Sequence, residues 1–243
     1  MGQNIFDDNV FFSEYIKLRR GKNYNDLLEQ PAMRKLLPDV RGKTVLDIGC
    51  GYGRESYLFA QSGAKQVIGV DISRKMLELA RREYSHPDVE YLQMDMEELG
   101  GLTQEFDLIY SSLAFHYAAD FQRLAGNLYR LLRAGGRLLY SQEHPIVTAT
   151  VDCRGHYNTV DGQCVSYTFS DYAAGGRRVG AWFVDGVENY HRTMGEIVTT
   201  LAQAGFVIEE LVEPLPGKWA LEELPELAKE FIKPTFLIIK ARK

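Results

Sequence analysis

Between residues 44 and 142, short apolar runs alternate with amphipathic stretches, and this alternation leaves few folds open. Residues 44–48 read as a strand and 54–62 as a helix carrying Leu58 and Phe59, stopped by Gly63. Residues 66–70 form the next strand and 74–84 the next helix, with Met76, Leu77 and Ala80 on one side. Strands at 89–93 and 106–111 follow, then a helix over 120–132, a turn at Gly135-Gly136 and a strand at 137–142. Strands that alternate with helices pack as right-handed crossovers, giving a parallel sheet with helices on both faces. The chain is therefore predicted to be α/β, with a doubly wound, Rossmann-like sheet.

Two segments depart from the rhythm. Residues 5–40 read as a helical N-terminal cover: Phe11, Phe12, Tyr15 and Leu18 keep helical spacing up to Gly21. Leu27, Leu28, Met33, Leu36 and Leu37 continue it to Pro38. Residues 144–190 are rich in Gly, Tyr and polar residues, with strand-like alternation near Val165 and Phe169. This reads as a strand-containing insertion that folds over the crevice as a lid. Its aromatic residues (Tyr157, Tyr167, Phe169, Tyr172, Trp182 and Phe183) suit an acceptor pocket, a local mini-core or a homodimer surface. A helix at 193–204, a strand at 206–212, a short helix at 221–232 and a strand at 235–240 complete one domain over 1–243.

At 243 residues the chain can bury a large core without disulfides or a structural metal. A net charge of −5 argues against nucleic acid as a partner, because phosphate binding needs clustered positive charge. The three cysteines, Cys50, Cys153 and Cys164, are too few and too odd in number for a disulfide framework. Cys153, His156 and Cys164 lack the tight four-ligand spacing of structural zinc, so no metal is expected. Asp7 and Asp8 stand where a secretory signal carries Lys or Arg. No apolar run reaches the roughly 18 residues of a membrane span. A cytoplasmic protein with no membrane insertion is expected.

The segment after the first strand, VLDIGCGYGR over 45–54, carries the most chemistry. Gly49, Gly51 and Gly53 sit at a strand-to-helix turn, where glycine permits positive φ and close approach of a ligand. The turn aims a helix N-terminus into the crevice. A dinucleotide site wants G-x-G-x-x-G, but the spacing here is G-x-G-x-G and Asp47 precedes it. A carboxylate repels a pyrophosphate and suits an ammonium group, while loop N–H groups suit a carboxylate. S-adenosylmethionine has both, so the chemistry favours it over a nicotinamide nucleotide. A plain tight turn is the bland alternative.

A second acidic position ends the second strand in VIGVDIS, 67–73. Asp71 can accept from both hydroxyls of a ribose or cap the next helix, a role Ser73 can also fill. After the third strand, Asp95 can accept from an adenine amino group, with Met94 or Met96 packing on the ring.

Together VLDIGCGYG, VIGVDIS, the acid at Asp95, FDLIYSSLAFHY at 106–117 and LLRAGGRLLYS at 131–141 resemble class I S-adenosylmethionine-dependent methyltransferases of the small-molecule type. The resemblance is strong over 40–142. It implies seven strands in the order 3-2-1-4-5-7-6, the last antiparallel to the rest. It also implies a cofactor set of Asp47, Gly49, Gly51, Gly53, Asp71, Ile72, Asp95, Met96 and Ser111. The implied reaction moves a methyl group to a small-molecule O, N or C nucleophile and releases S-adenosylhomocysteine. The acceptor side then falls at the ends of the fourth and fifth strands. His116 is the first candidate general base and His191 the second, since imidazole can take a proton from a hydroxyl or amine. Glu143 and Arg192 could bind a polar acceptor or pair with each other, and Tyr15 or Tyr24 could touch the cofactor's amino-acid end. The N-P-P-Y type motif of DNA amino-methylation is absent. A non-catalytic binding module and a nicotinamide oxidoreductase are the alternative functions.

Overall fold

A computed structural model describes residues 2–152 and 155–243. The N-terminal cover is α1 (Asn9–Arg20), started by the Asp8 side chain accepting from the N–H groups of Val10 and Phe11. A π-helical turn over Asn25–Glu29 runs directly into α2 (Gln30–Leu36). The alternating core follows as β1 (Thr44–Ile48), α3 (Arg54–Gln61), β2 (Gln66–Asp71), α4 (Arg74–Glu83) and β3 (Val89–Gln93). It continues through β4 (Phe106–Ser112), α5 (Phe121–Leu131) and β5 (Leu132–Glu143). The insertion holds a single helical turn, α6 (Pro145–Thr148), and two hairpins. These are β6 (His156–Val160) with β7 (Gln163–Thr168), and β8 (Gly176–Trp182) with β9 (Val184–His191). Then come α7 (Met194–Ala204), β10 (Val207–Val212), α8 (Lys218–Glu223) and β11 (Phe236–Arg242).

The seven-stranded sheet has the order β10-β11-β5-β4-β1-β2-β3. β11 runs antiparallel to both β5 and β10, and the other six strands are mutually parallel. This is a Rossmann-like methyltransferase fold. Successive residues of the strands divide between two cores. Leu46, Ile68, Ile109, Leu138 and Ile239 face α5 and α7, where they meet Phe121, Leu128, Ile197 and Leu201. Val45, Val67, Leu108, Leu139 and Ile238 face α2 and α3, where they meet Met33, Leu36 and Phe59. A sheet covered on both faces makes its strands apolar throughout, which is why they were legible as apolar runs.

Two boundaries differ from expectation. β5 starts at Leu132 rather than 137, because the chain pairs with Phe106 before bulging through Gly135 and regaining register at Arg137. The expected helix over 221–232 is split into α8 and a 3-10 helix over Pro225–Phe231, since Pro225 cannot continue an α-helix.

Candidate active site

The carboxyl ends of β1, β2 and β4 open into a crevice with two connected lobes. The smaller, about 90 Å³, is lined by Val70, Asp71, Ile72, Met94, Asp95 and Met96, with Gly2 and Gln3 at its rim. The larger, about 290 Å³, is lined by Arg19, Asp47, His116, Glu143, Trp182 and Phe236 among others. Phe6, Tyr15, Gly49, Gly51, Ser112, Leu113 and Tyr117 line both, so they mark the junction.

The glycine loop is held rigidly. The N–H groups of Gly49 and Cys50 donate to the Val70 carbonyl at 2.8 and 3.0 Å, and Gly53 N–H donates to the Cys50 carbonyl at 3.0 Å. Gly51 N–H donates to Asp71 Oδ2 at 2.8 Å. These donors are therefore spent inside the loop and are not free for a ligand carboxylate. The three glycines do different work. Gly51 has φ +54° and open space where a Cβ would stand, so its missing side chain leaves room in both lobes. Gly49 has φ +68° and packs against Ala114. Gly53 lines neither lobe; at φ +86° it packs against Tyr91 and Ala80, and Tyr91 donates to its carbonyl at 3.1 Å. Its place in the expected cofactor set is corrected to a packing role.

The acids are buried. Asp47 is 2% exposed and accepts from the Ser56 hydroxyl at 2.5 Å; burial pushes its carboxyl up to about 7, against that bond. Asp71 accepts from Gly51 and Ser73 N–H, yet burial still lifts it to about 6. Asp95 accepts from the N–H groups of Gly2 at 2.6 Å and Glu97 at 3.0 Å. Ser111 is corrected: it is fully buried, donates to the Ile48 carbonyl at 2.8 Å and lines neither lobe. The next residue on the alternating strand, Ser112, faces the crevice instead.

Arg19 was missed by the sequence reading. It lies on α1 among surface-like Lys and Arg residues, with no motif to mark it. Its guanidinium lines the larger lobe and bonds Tyr52, while Nε and Nη1 are buried without a partner. An orphaned buried cation is costly, and an anionic ligand group would satisfy it. Arg19 therefore offers a side-chain donor for a carboxylate in the larger lobe, which Tyr52, Arg54 and Glu55 at the start of α3 also line.

The histidines separate. His116 lines the larger lobe, and its Nδ1 accepts from Glu143 N–H at 3.4 Å. Burial, with Arg192 adding to it, lowers its pKa, so the ring is neutral with its proton on Nε2. Such a ring presents Nε2 as a donor in this arrangement. His191 is 1% exposed and lines neither lobe. Its Nε2 donates to the Tyr172 carbonyl and its Nδ1 pairs with the Thr148 hydroxyl, both at 2.8 Å. Both nitrogens pin the insertion, so its expected catalytic role is corrected too. His144 caps α6 and pairs with Glu213.

Glu143 lines the larger lobe and accepts from Asn189, whereas Arg192 bonds the Ala118 and Ala119 carbonyls, so the two do not pair. Tyr15 reaches the junction; Tyr24 instead bonds the Glu226 carbonyl. Of the insertion's aromatics only Trp182 lines the crevice, packing with Phe11, Tyr15 and Phe183. Tyr157 and Tyr167 form a separate pair facing Lys233. Cys153 lies outside the described residues, and among those residues no group of three His, Cys, Asp or Glu could hold a metal. Among the described residues no helix is long and apolar enough to cross a membrane.

Residues 46–140 match the family model for a methyltransferase domain. The crystal structure of an S-adenosylmethionine-dependent methyltransferase from Mesorhizobium loti is 36% identical and superposes with a TM-score of 0.82, over 88% of this chain and 97% of that one. A Haemophilus influenzae protein is 36% identical over 99% of this chain and 97% of its own length. A malonyl-[acyl-carrier protein] O-methyltransferase from Enterobacter lignolyticus is 34% identical, over 49% of this chain and 47% of that protein. The fold and the two-lobed crevice define a nucleotide-binding transferase. The chain belongs to the class I S-adenosylmethionine-dependent methyltransferases and is an enzyme that uses S-adenosylmethionine. The nicotinamide and non-catalytic alternatives fall with that assignment.

Proposed function

We propose that the smaller lobe takes the adenosine of S-adenosylmethionine, and that the larger lobe takes its amino-acid end and, on the side of His116, Glu143 and Trp182, a small-molecule O, N or C nucleophile, with S-adenosylhomocysteine released. The junction carries this reading: the lobes meet at Gly51, Ser112 and Tyr117, where the transferable methyl and the acceptor must touch. Asp71, beside Ile72, would hold the ribose hydroxyls, and Asp95 with Met94 and Met96 the adenine. Arg19 would hold the carboxylate and Asp47 favour the ammonium of the amino-acid end. The bound cofactor supplies an electrophilic methyl on a sulfonium. The protein's share is to place the nucleophile in line, exclude water with Phe6, Tyr15 and Trp182, and donate from His116 to a polar acceptor atom.

A lobe of about 290 Å³ is of small-ligand size. The free thiols of Cys50 and Cys164 support work in a reducing compartment such as the cytoplasm. Incubating the enzyme with methyl-¹³C S-adenosylmethionine and a cell extract divided by ultrafiltration tests the acceptor. Label is expected in the low-mass filtrate. Label confined to retained protein or RNA would overturn a small acceptor.

A further inference from the structure

One buried acid beside the junction has no part in the roles above. Glu29 is fully buried at the end of the π-helical turn, and its Oε1 accepts from the Ser141 hydroxyl at 2.5 Å and from the Ser112 hydroxyl at 3.0 Å. Its Oε2 has no partner. Ser112 also accepts from Gln30 Nε2 at 3.3 Å, and Gln30 reaches Tyr110 in turn. Glu29 lines neither lobe, while Ser112 lines both. The Ser112 hydroxyl thus spans from the place of methyl transfer to a carboxylate shielded from water, and a hydroxyl has a second lone pair free to accept.

We propose that Ser112 and Glu29 form a proton relay for the acceptor, and that the acceptor is therefore a nucleophile with a proton to lose, such as a phenol hydroxyl, rather than a carboxylate. This rests on the lobe assignment above. In the step, the acceptor oxygen bonds the methyl carbon as the carbon–sulfur bond breaks and its electron pair returns to sulfur. The acceptor proton passes to Ser112 Oγ while the Ser112 proton passes to Glu29 Oε1. Charge balances, because the sulfonium becomes a neutral thioether and the carboxylate a neutral acid. Ser112 is the catalytic residue and Glu29 the positioning residue that acts through it.

The surroundings keep Glu29 a usable base. Burial lifts it to about 7, against its two serine bonds. Arg19 on α1 lowers it and Glu55 on α3 raises it. Tyr110 on β4 and Tyr15 on α1 stay neutral, as burial raises both phenols. An acid of ordinary pKa would be too weak a base for a hydroxyl.

The test is isotope-edited infrared titration of glutamate carboxyl groups in the S-adenosylhomocysteine complex, with Glu29→Gln identifying the band. The Glu29 band is expected to titrate near neutrality and to shift upward in Ser112→Ala, which removes a bond to the charged form. A Glu29 band that does not titrate near neutrality, or one that Ser112→Ala leaves unmoved, overturns the relay. Methyl iodide with S-adenosylhomocysteine gives the cofactor back with no proton moved, so this reverse reaction reads the lobes alone. The wild type is expected to show it, with iodide as the leaving group. Its absence in the wild type would sink the lobe assignment instead, which separates the two failures. With catechol as the protic probe, Glu29→Gln should cut transfer about 100-fold and abolish its rise with pH. Transfer to a malonyl thioester carboxylate but not to catechol would overturn the acceptor class.

Discussion

The backbone N–H of Gly2 donates to Asp95 Oδ2 at 2.6 Å, so the start of the described chain lies over the smaller lobe of the crevice. The strap is fastened at other points. Gln3 exchanges two hydrogen bonds with the β8–β9 hairpin, at Gly186 and Glu188, and Asp7 accepts from Ser73 and Lys75 at the start of α4. The cover over the smaller lobe and the β8–β9 hairpin, whose Trp182 lines the larger lobe, are thus one connected piece.

Deleting residues 2–4 removes the Gly2 and Gln3 bonds while leaving Asp7 in place. At about 1 kcal/mol per bond, S-adenosylhomocysteine should leave roughly tenfold faster or more. Stopped-flow fluorescence checks this, with Trp182 at the crevice as reporter. An unchanged release rate would show that the strap does not retain the cofactor.

Asp71→Ala should weaken S-adenosylhomocysteine binding by about 1–3 kcal/mol in calorimetry. It should also lower the melting temperature of the free protein, because Gly51 and Ser73 N–H lose their buried acceptor. A dissociation constant that does not move would remove Asp71 from the site.

Gly51→Ala and Gly53→Ala should fail in different ways. At Gly51 the added Cβ meets only open space, so the fold should survive with a cost near 1 kcal/mol while cofactor binding drops. At Gly53 the Cβ meets Ala80 and the Tyr91 ring, so stability should fall by about 2–4 kcal/mol. Denaturant unfolding alongside calorimetric titration distinguishes them; similar profiles for both variants would be the contrary result.

Three buried acids set the pH dependence. Asp47 and Asp71 rise from an ordinary 3.8 to about 7 and about 6, and Glu29 rises from 4.5 to about 7. Acids raised on folding favour the protonated fold, so their contribution is full below about pH 4 and is lost as pH rises to about 7. The free protein should therefore lose stability across that window. Asp47→Asn should flatten the loss by an amount on the order of 1–3 kcal/mol, read from denaturant midpoints at several pH values. An unaltered slope would mean that Asp47 is ionised throughout.

What the sequence by itself determined is the sheet. The apolar runs are contiguous because both faces are covered, and the glycines after β1 and the acids after β2 and β3 fall at strand ends where local chemistry shows them. The strand order came from the resemblance those motifs carry, and the structure agrees. Which side chains share the crevice was decided only in three dimensions. Ser111 and Ser112 are neighbours in sequence, but the pleat of β4 buries one against Ile48 and turns the other into the crevice. His116 and His191 look alike as imidazoles near the acceptor side, yet one lines the lobe and the other has both nitrogens spent holding the insertion. Arg19 and Glu29 lie in a helical cover with no periodic mark of function. Arg19 reaches the crevice, and Glu29 the back of Ser112, because α1 and the π-helical turn fold back across the strand ends, where burial strips a charge of water.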